Sequence, residues 1–254
     1  MSEPNTRDSS RIILALDVPT VEEARKVMEQ VVDQIRWVKV GLELITAQLA
    51  GEVVAVARSL GFETFWDGKP KDVPRTVAAA VREAAKHGAK FINVHADSGV
   101  EALLAAVANK GDADLLAVSE LTSHDTENVE LDHGASRNAK VLYLARMAAY
   151  TRCDGLICSP KELAFLARYS GRKEHPEVQL GNLIKVIPGT RSPGAEHQDQ
   201  KNVETQEVAI ENGADWLVIG NEILRNPKLP PRDAAEALNV RIAQAIEFGK
   251  GGQS

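Results

Sequence analysis

Eight short β-rich runs alternate with longer helical patterns along the chain, and this alternation predicts an α/β fold of the (β/α)8 TIM-barrel class. A length of 254 residues fits a single domain of that class. The alternative is an open, doubly wound sheet, but no Gly-x-Gly-x-x-Gly turn follows the first predicted strand, where a dinucleotide-binding fold requires it. The strands are predicted at Arg11–Val18, Trp37–Gly41, Glu63–Asp67, Phe91–His95, Leu115–Glu120, Gly155–Ser159, Ile184–Ile187 and Trp216–Gly220.

Capping residues mark several of the predicted helices. Thr20 stands before the first helix, Ser159 precedes Pro160 at a first helical position, and Gly213 follows the seventh helix. The helices are predicted at Val21–Ile35, Thr46–Leu60, Val73–His87, Val100–Ala108, Asn138–Tyr150, Lys161–Arg168, Val203–Glu211 and Arg232–Phe248.

Composition narrows the class of protein. The net charge is -6, and no cluster of Lys and Arg interleaved with aromatic residues indicates nucleic-acid binding. No stretch approaches the length of apolar sequence that spans a membrane, and the N-terminus has no apolar segment typical of a signal peptide. Cys153 and Cys158 suit buried apolar positions, which favours a cytoplasmic protein. We expect a barrel domain at residues 11–248, between a disordered tail at 1–10 and a C-terminal tail at 249–254.

Polar residues follow most of the predicted strands. Sites in TIM barrels are built at the carboxyl ends of the strands, so these residues are the candidates for function. The polar stretch at 189–202 is too long for an ordinary connection and is interpreted as a lid or binding loop. The polar residues at or just after the strand ends are Asp17, Lys39, Asp67, Lys69, His95, Thr122, Arg191 and Asn221.

The most informative motif is Asp-x-Lys-x-x-Asp, formed by Asp67, Lys69 and Asp72 at the end of the third predicted strand. Two residues apart on a strand, Asp67 and Lys69 point to the same side of the sheet. Taken alone, such a group is more often an ordinary ion-pair cluster than an active site. Its position beside Lys39, on the neighbouring strand, favours acid–base chemistry instead.

With its flanking motifs, the sequence resembles the orotidine 5'-phosphate decarboxylase family from Ile12 to about Pro227. The resemblance implies a TIM barrel that decarboxylates orotidine 5'-phosphate to uridine 5'-phosphate, the final step of pyrimidine nucleotide synthesis, without metal or cofactor. The matching motifs, in order, are Leu16-Asp17, Lys39-Val40-Gly41, Asp67-x-Lys69-x-x-Asp72 with Pro74 and Thr76, Asn93-Val94-His95-Ala96, Leu121-Thr122-Ser123, Pro188-Gly189-Thr190-Arg191, Asp199-Gln200 and Val218-Ile219-Gly220.

Two alternatives remain. Metal-dependent sugar-phosphate enzymes, the keto-gulonate-phosphate decarboxylases and hexulose-phosphate synthases, share the barrel and the central motif but typically carry Glu where this chain has Lys39. The second alternative is a catalytically silent barrel that binds a nucleotide. The change at Asn221, described below, is its only support.

The resemblance also implies roles for individual residues. Lys69 is expected to protonate C6 of the pyrimidine as carbon dioxide leaves, with Asp67 against the substrate carboxylate. Lys39 is expected to bridge Asp67 and the ribose, and Asp17 to bind a ribose hydroxyl.

Other implied roles involve a second subunit and the loops. Asp72 and Thr76 are expected to reach the neighbouring subunit's site, which implies a homodimer with shared active sites. Thr122 or Ser123 would bind the pyrimidine, and Gln200 would close over the substrate with the loop around Arg191. The remaining expected contacts with substrate are Pro188, Gly189, Gly220 and Asn221.

The sequence departs from the family at two places. Asn221 stands where the family usually has an Arg that binds phosphate, and Pro70 and Lys71 replace an aromatic residue and a His inside the central motif. Loss of one charge-assisted hydrogen bond costs roughly 1.5–3 kcal/mol, so phosphate affinity is expected to fall by about one to two decades unless another group compensates. Arg191 and Arg225 are the candidates.

Overall fold

A computed structural model describes residues 6–121, 134–169, 179–192 and 204–251. Within these ranges eight parallel strands pair in chain order and close into a barrel, with the first strand bonded to the last. The predicted TIM barrel is therefore confirmed. The strands are β1 (Ile12–Ala15), β2 (Trp37–Val40), β3 (Glu63–Trp66), β4 (Phe91–His95), β5 (Asp114–Val118), β6 (Gly155–Ile157), β7 (Ile184–Pro188) and β8 (Trp216–Ile219).

All eight strands lie where the sequence predicts them, but six end one to three residues earlier. The last predicted residues of those strands lie beyond the carboxyl edge of the sheet. They therefore form the mouth of the barrel. Asp17 and Glu120 are examples, each two residues after the last residue of its strand.

The helices surround the barrel. Predicted caps are confirmed: the Thr20 side chain accepts from the Glu23 N–H, Ser159 and Glu162 form a capping box, and Gly213 has a φ of 97°. The described α-helices are α1 (Thr6–Ser9), α2 (Val21–Val31), α3 (Leu42–Thr46), α4 (Ala50–Ser59), α5 (Pro74–Lys86), α6 (Val100–Val107), α7 (Arg137–Tyr150), α8 (Pro160–Ala167), α9 (Gln206–Glu211), α10 (Asn221–Leu224) and α11 (Pro231–Gly251), and 3-10 turns lie at Ala96–Ser98 and Leu180–Asn182.

The prediction of one helix at Thr46–Leu60 is wrong, because α3 and α4 are separate helices. Gln48 lies between them with a φ of 62°, in the left-handed region that a continuous α-helix cannot contain. Leu42 through Thr46 instead form a short helix directly after β2.

The N-terminal boundary also differs from the expected tail at 1–10. Residues 6–9 form α1, whose Arg7 guanidinium donates to the Gly61 carbonyl and lies 5.2 Å from the centre of the Phe62 ring. Ser10 is buried and donates to Asn239 Oδ1 at 2.8 Å. At the other end, α11 continues to Gly251, past the expected boundary at 248.

An apolar plug fills the lower part of the barrel interior. Its aromatic members interlock: the Trp37 and Phe91 rings stack with centroids 4.3 Å apart, and the Phe65 edge meets Phe91 at 6.2 Å. Aliphatic side chains complete the plug: Ile13, Leu116, Val118, Ile157 and Val186. A filled interior leaves room for ligand only above the plug, at the carboxyl ends of the strands.

Both cysteines are buried and unpaired, as predicted. Burial raises the pKa of the Cys153 thiol to about 11, which keeps it protonated at neutral pH. No helix in the described part of the chain is long and apolar enough to cross a membrane.

Candidate active site

A pocket of about 340 Å³ opens directly above the plug. Side chains alternate along a strand, so the residue two positions beyond each inward-facing apolar residue also faces inward. Trp37 is followed in this way by Lys39, Phe65 by Asp67, and Val118 by Glu120. The pocket is lined by Ala15, Asp17, Lys39, Phe65, Asp67, Lys69, Val118, Glu120, Leu121, Ile157, Cys158, Pro188, Gly189, Arg191, Val218, Gly220 and Asn221.

Four charged side chains form a continuous line across one wall of the pocket, with acids and bases alternating. Lys39 Nζ lies 3.4 Å from Asp17 Oδ1 and 3.2 Å from Asp67 Oδ2. Lys69 Nζ lies 2.5 Å from the other oxygen of Asp67, Oδ1. Each ammonium therefore meets a carboxylate, and Asp67 is bound between the two lysines. Parallel pairing puts Lys39 beside Ala15 on β1 and Phe65 on β3, which brings the three strand ends together.

Opposite charges keep the buried members of this line ionised. Burial alone raises the pKa of Asp67, but the ammonium groups of Lys39 and Lys69 outweigh burial and lower that pKa to about 2. Burial alone lowers the pKa of Lys39, yet the carboxylates of Asp67 and Asp17 leave it above its usual value. At neutral pH Asp67 is therefore ionised and Lys39 protonated, although both are buried.

A buried amide connects the ends of β3 and β4. Asn93 Nδ2 donates to Asp67 Oδ1 at 2.6 Å, and Asn93 Oδ1 accepts from the backbone N–H of Lys69 at 2.9 Å. Sequence reasoning placed Asn93 in a motif but assigned it no role. The signal that could have found it is a polar residue in the middle of a strand, between the apolar Ile92 and Val94.

Gly41 leaves space for the Lys39 ammonium. A Cβ atom at position 41 would lie 2.9 Å from Lys39 Nζ and 3.6 Å from Asp17 Oδ1. A larger residue at this position would therefore push the ammonium away from its carboxylates. Glycine is needed here because the Lys39 ammonium comes so close to its Cα. Its backbone conformation is not the reason, since a φ of -97° is one that other residues adopt.

The opposite wall, formed after β7 and β8, has a different character. Its lining includes Pro188, Gly189 and Gly220, of which the two glycines carry no side chain, and Arg191 supplies a cation. Arg191 Nη1 donates to the Thr190 carbonyl at 2.8 Å, which holds its guanidinium at the edge of the pocket.

The segment that continues from Arg191 is anchored outside the pocket. Both carboxylate oxygens of Glu222 accept from the Ser192 N–H, at 3.2 and 3.1 Å. Arg241 Nη1 on α11 donates to Ser192 Oγ at 2.8 Å, and Gln206 Nε2 donates to Glu222 at 3.1 Å. These contacts hold Ser192 to α10 and α11.

Comparison with known proteins agrees with this geometry. Residues 10–238 match the model of the orotidine 5'-phosphate decarboxylase / HUMPS family. The chain is 37% identical over 249 residues to the orotidine 5'-phosphate decarboxylase of Rhodopseudomonas palustris (strain BisB5), covering 96% of this chain and 100% of the relative. It is 38% identical over 241 residues to the corresponding protein of Dichelobacter nodosus (strain VCS1703A), covering 92% and 98% of the two chains.

The chain belongs to the orotidine 5'-phosphate decarboxylase / HUMPS family. A solved structure agrees: the crystal structure of orotidine 5'-phosphate decarboxylase from Lactobacillus acidophilus aligns with a TM-score of 0.71 at 29% identity, covering 91% of this chain and 98% of that one.

Two predicted residues of the family motif lie outside the pocket of their own chain. Asp72 is exposed, and its Oδ1 accepts from the Val73 N–H at 2.6 Å. Thr76 is exposed on the first turn of α5. The structure therefore leaves both free to face another molecule, and their proposed role is taken up below.

Other predicted residues divide into those in the pocket and those not described. Asn221 and Arg191 line the pocket, whereas Arg225 is exposed and does not. Of the two candidates for replacing the family arginine, only Arg191 is thus in place. Three predicted residues lie outside the described ranges, namely Thr122, Ser123 and Gln200.

Glu120 is a pocket residue that sequence reasoning missed. Its carboxylate is almost fully buried, and Oε2 lies 2.6 Å from Lys140 Nζ on α7. The other oxygen, Oε1, accepts from the Leu121 N–H at 3.1 Å. Its spacing of two from the plug residue Val118 was the available signal.

Proposed function

We propose that this protein decarboxylates orotidine 5'-phosphate to uridine 5'-phosphate, the final step of uridine monophosphate synthesis. The observation that carries the proposal is the alternating line of Asp17, Lys39, Asp67 and Lys69 on one wall of the pocket. Its two ammonium groups supply the charge that a developing carbanion requires. Its buried carboxylate stands where the reacting carboxylate would be repelled.

The reaction we propose balances without an oxidant or a cofactor. The bond from C6 to the carboxyl carbon breaks, carbon dioxide leaves, and the electron pair remains on C6. A proton then passes from Lys69 Nζ to C6, and the neutral amine of Lys69 regains a proton from solvent. Asp67, 2.5 Å from Lys69 Nζ, holds the donor before transfer and stabilises its charge.

The expected sizes of the two effects indicate how much Asp67 and Lys69 each contribute to the rate. Two like charges about 4 Å apart repel by roughly 4 kcal/mol at an effective dielectric of about 20, which corresponds to about three decades of rate if relieved in the transition state. Enzymes supply roughly 8–23 kcal/mol in total, so repulsion by Asp67 is the smaller contribution. We assign the larger share to Lys69, whose charge is already positioned, and to binding energy from the phosphate.

We further propose that the active form is a homodimer with shared sites. Asp72 is exposed beside Val73, of which 60% is accessible, although Val73 is apolar. Leu42 after β2 and Leu104 on α6 are also about half accessible, at 54% and 49%. Exposed apolar side chains on neighbouring β/α units are typical of a subunit interface, and a second copy would bring Asp72 and Thr76 to a partner's pocket.

We place the protein in the cytoplasm on the strength of its cysteines. Cys153 and Cys158 are buried as free thiols, a state that a reducing compartment maintains.

The metal-dependent sugar-phosphate reaction is the second candidate, because such enzymes share the barrel. Lys39 argues against it, since its ammonium lies 3.2 Å from Asp67 and a divalent cation bound there would be repelled. No group of three His, Cys, Asp or Glu within the described ranges is arranged to hold a metal ion.

The decisive assay follows the absorbance of orotidine 5'-phosphate with purified protein, before and after exhaustive treatment with a chelator. We expect conversion to uridine 5'-phosphate and carbon dioxide at the same rate in both samples. Activity on a sugar phosphate that disappears with chelator would establish the second candidate. Tight nucleotide binding without turnover would establish the silent barrel.

Mixing two inactive variants tests the shared site. In a heterodimer of Lys69→Ala and Asp72→Ala chains, one site carries both substitutions and the other carries neither. At equal amounts, random pairing restores about a quarter of the sites. We expect activity near that level after mixing. Mixtures no more active than the separate variants would place Asp72 in its own subunit's site or outside catalysis.

A further inference from the structure

Asn93 is hydrogen-bonded to the carboxylate of Asp67 and to the backbone of Lys69, and it carries no assigned role. Its side chain is completely buried on β4, and both of its polar atoms are used. Nδ2 donates to Asp67 Oδ1 at 2.6 Å, and Oδ1 accepts from the Lys69 N–H at 2.9 Å. The amide of Asn93 thus binds both the Asp67 carboxylate and the Lys69 backbone, and these two residues flank the proposed reacting centre.

The backbone of Lys69 needs such support. Its φ is 47°, in the left-handed region, which is unfavourable for a residue with a side chain. This conformation turns the backbone at Lys69, whose Nζ lies 2.5 Å from Asp67 Oδ1, two residues earlier. The hydrogen bond from the Lys69 N–H to Asn93 fixes the turn from the neighbouring strand.

Asn93 also determines how Asp67 shares its two oxygens. Oδ1 accepts from both Asn93 and Lys69, while Oδ2 faces Lys39 at 3.2 Å. A partial rotation of the carboxylate would break the Asn93 hydrogen bond and move both oxygens away from their lysines. The Asn93 amide provides a donor to Asp67 and an acceptor for Lys69. It does so without adding a charge to a wall that holds two carboxylates and two ammonium groups.

We propose that Asn93 is a positioning residue that holds Lys69 in its left-handed conformation and orients the Asp67 carboxylate toward it. The inference rests on the proposed decarboxylation for its kinetic consequence, but its geometric content is independent of the substrate. Asn93 does not itself touch the reacting atoms.

The kinetic test uses two substitutions. Asn93→Leu removes both hydrogen bonds at similar volume, and we expect kcat to fall about a hundredfold with KM within about threefold, because a proton donor displaced by about 1 Å loses this much rate. Asn93→Asp keeps the acceptor for the Lys69 N–H but loses the donor to Asp67. Protonation of the introduced carboxyl group restores a donor, so its kcat relative to wild type should rise as pH falls.

Ser119→Ala is the matched control. The Ser119 hydroxyl is buried at the end of β5 and donates to the Ile157 carbonyl at 3.0 Å, with no contact to the charged wall. Its kcat should stay within about twofold of wild type, because it loses a buried hydrogen bond of the same kind without disturbing Lys69. A loss of rate in this variant equal to that of Asn93→Leu would overturn the positioning role.

A second readout requires no turnover, so failure of the proposed reaction and failure of this inference can be distinguished. Acetic anhydride labels lysines according to their freedom, and peptide mass spectrometry compares Lys69 with Lys71, which is 57% exposed and paired to Asp97. We expect the labelling of Lys69 relative to Lys71 to increase several-fold in Asn93→Leu and to stay unchanged in Ser119→Ala. An unchanged ratio in Asn93→Leu would overturn the proposal, whatever the wild type does with orotidine 5'-phosphate.

Discussion

The two walls of the pocket are built in different ways. On the wall formed by β1 to β4, Asp17, Lys39, Asp67 and Lys69 are joined in one line of ion pairs. On the wall formed after β7 and β8, the lining includes Pro188, two glycines, Gly189 and Gly220, and the polar residues Arg191 and Asn221, and no such line of ion pairs is found there among the described residues.

This difference separates chemistry from substrate binding. The first wall stands on strand ends that the barrel holds rigidly, so its charges are fixed before substrate arrives, as electrostatic catalysis requires. The second wall leads into the loop after β7 and carries Asn221, where the resemblance leads us to expect an arginine. Changes at Asp67 and Lys69 on the first wall should therefore act on kcat, and changes at Arg191 and Asn221 on the second wall should act on KM.

Among the variants that keep Lys69, the largest effect is expected on the first wall, from Asp67→Asn. The substitution keeps the shape and removes the charge that repels the substrate carboxylate, so kcat should fall by about a thousandfold. Steady-state kinetics with orotidine 5'-phosphate measure the change, and binding of uridine 5'-phosphate by calorimetry checks that the pocket is intact. A kcat within tenfold of wild type would show that this wall does not drive the reaction.

A smaller effect is expected on the second wall, from Arg191→Ala. Loss of one charge-assisted hydrogen bond to phosphate should raise KM about ten- to a hundredfold, with kcat nearly unchanged at saturation. Asn221→Arg is the converse variant and should lower KM by restoring a second cation. If Asn221→Arg leaves KM unchanged, other groups already hold the phosphate fully.

The contribution of ionised Asp67 to the free energy of unfolding should be lost only at very low pH. Asp67 has a pKa of about 2 in the folded protein, below its usual value of 3.8, so its ionised form stabilises the fold above about pH 4. That contribution, of about 2 kcal/mol, should disappear as pH falls toward 2. Urea unfolding of wild type and Asp67→Asn between pH 5 and 2 measures it. Equal pH dependence in the two proteins would contradict the lowered pKa.

The sequence predicts the barrel and the first wall better than the second. Strand positions follow from alternation, and Asp17, Lys39, Asp67 and Lys69 are found because they stand at strand ends on inward-facing positions. The role of Asn93 is not predicted, because it depends on the left-handed conformation of Lys69, which the periodicity of the sequence does not encode. The pocket role of Glu120 is not predicted, because its partner Lys140 lies twenty residues further along the chain, on a helix. Arg225, a candidate for the phosphate, is exposed and does not line the pocket, since its orientation depends on where α10 ends.

Single-turnover decarboxylation by Lys69→Ala tests the central claim most directly, with uridine 5'-phosphate affinity measured in parallel. Lys69 is the proposed proton donor, and general acid catalysis with its associated charge contributes at least about a thousandfold. We expect the wild type to convert orotidine 5'-phosphate and the variant to lose that factor or more, while its affinity for uridine 5'-phosphate stays within tenfold. Undiminished turnover by Lys69→Ala, or no turnover by the wild type, would contradict the account.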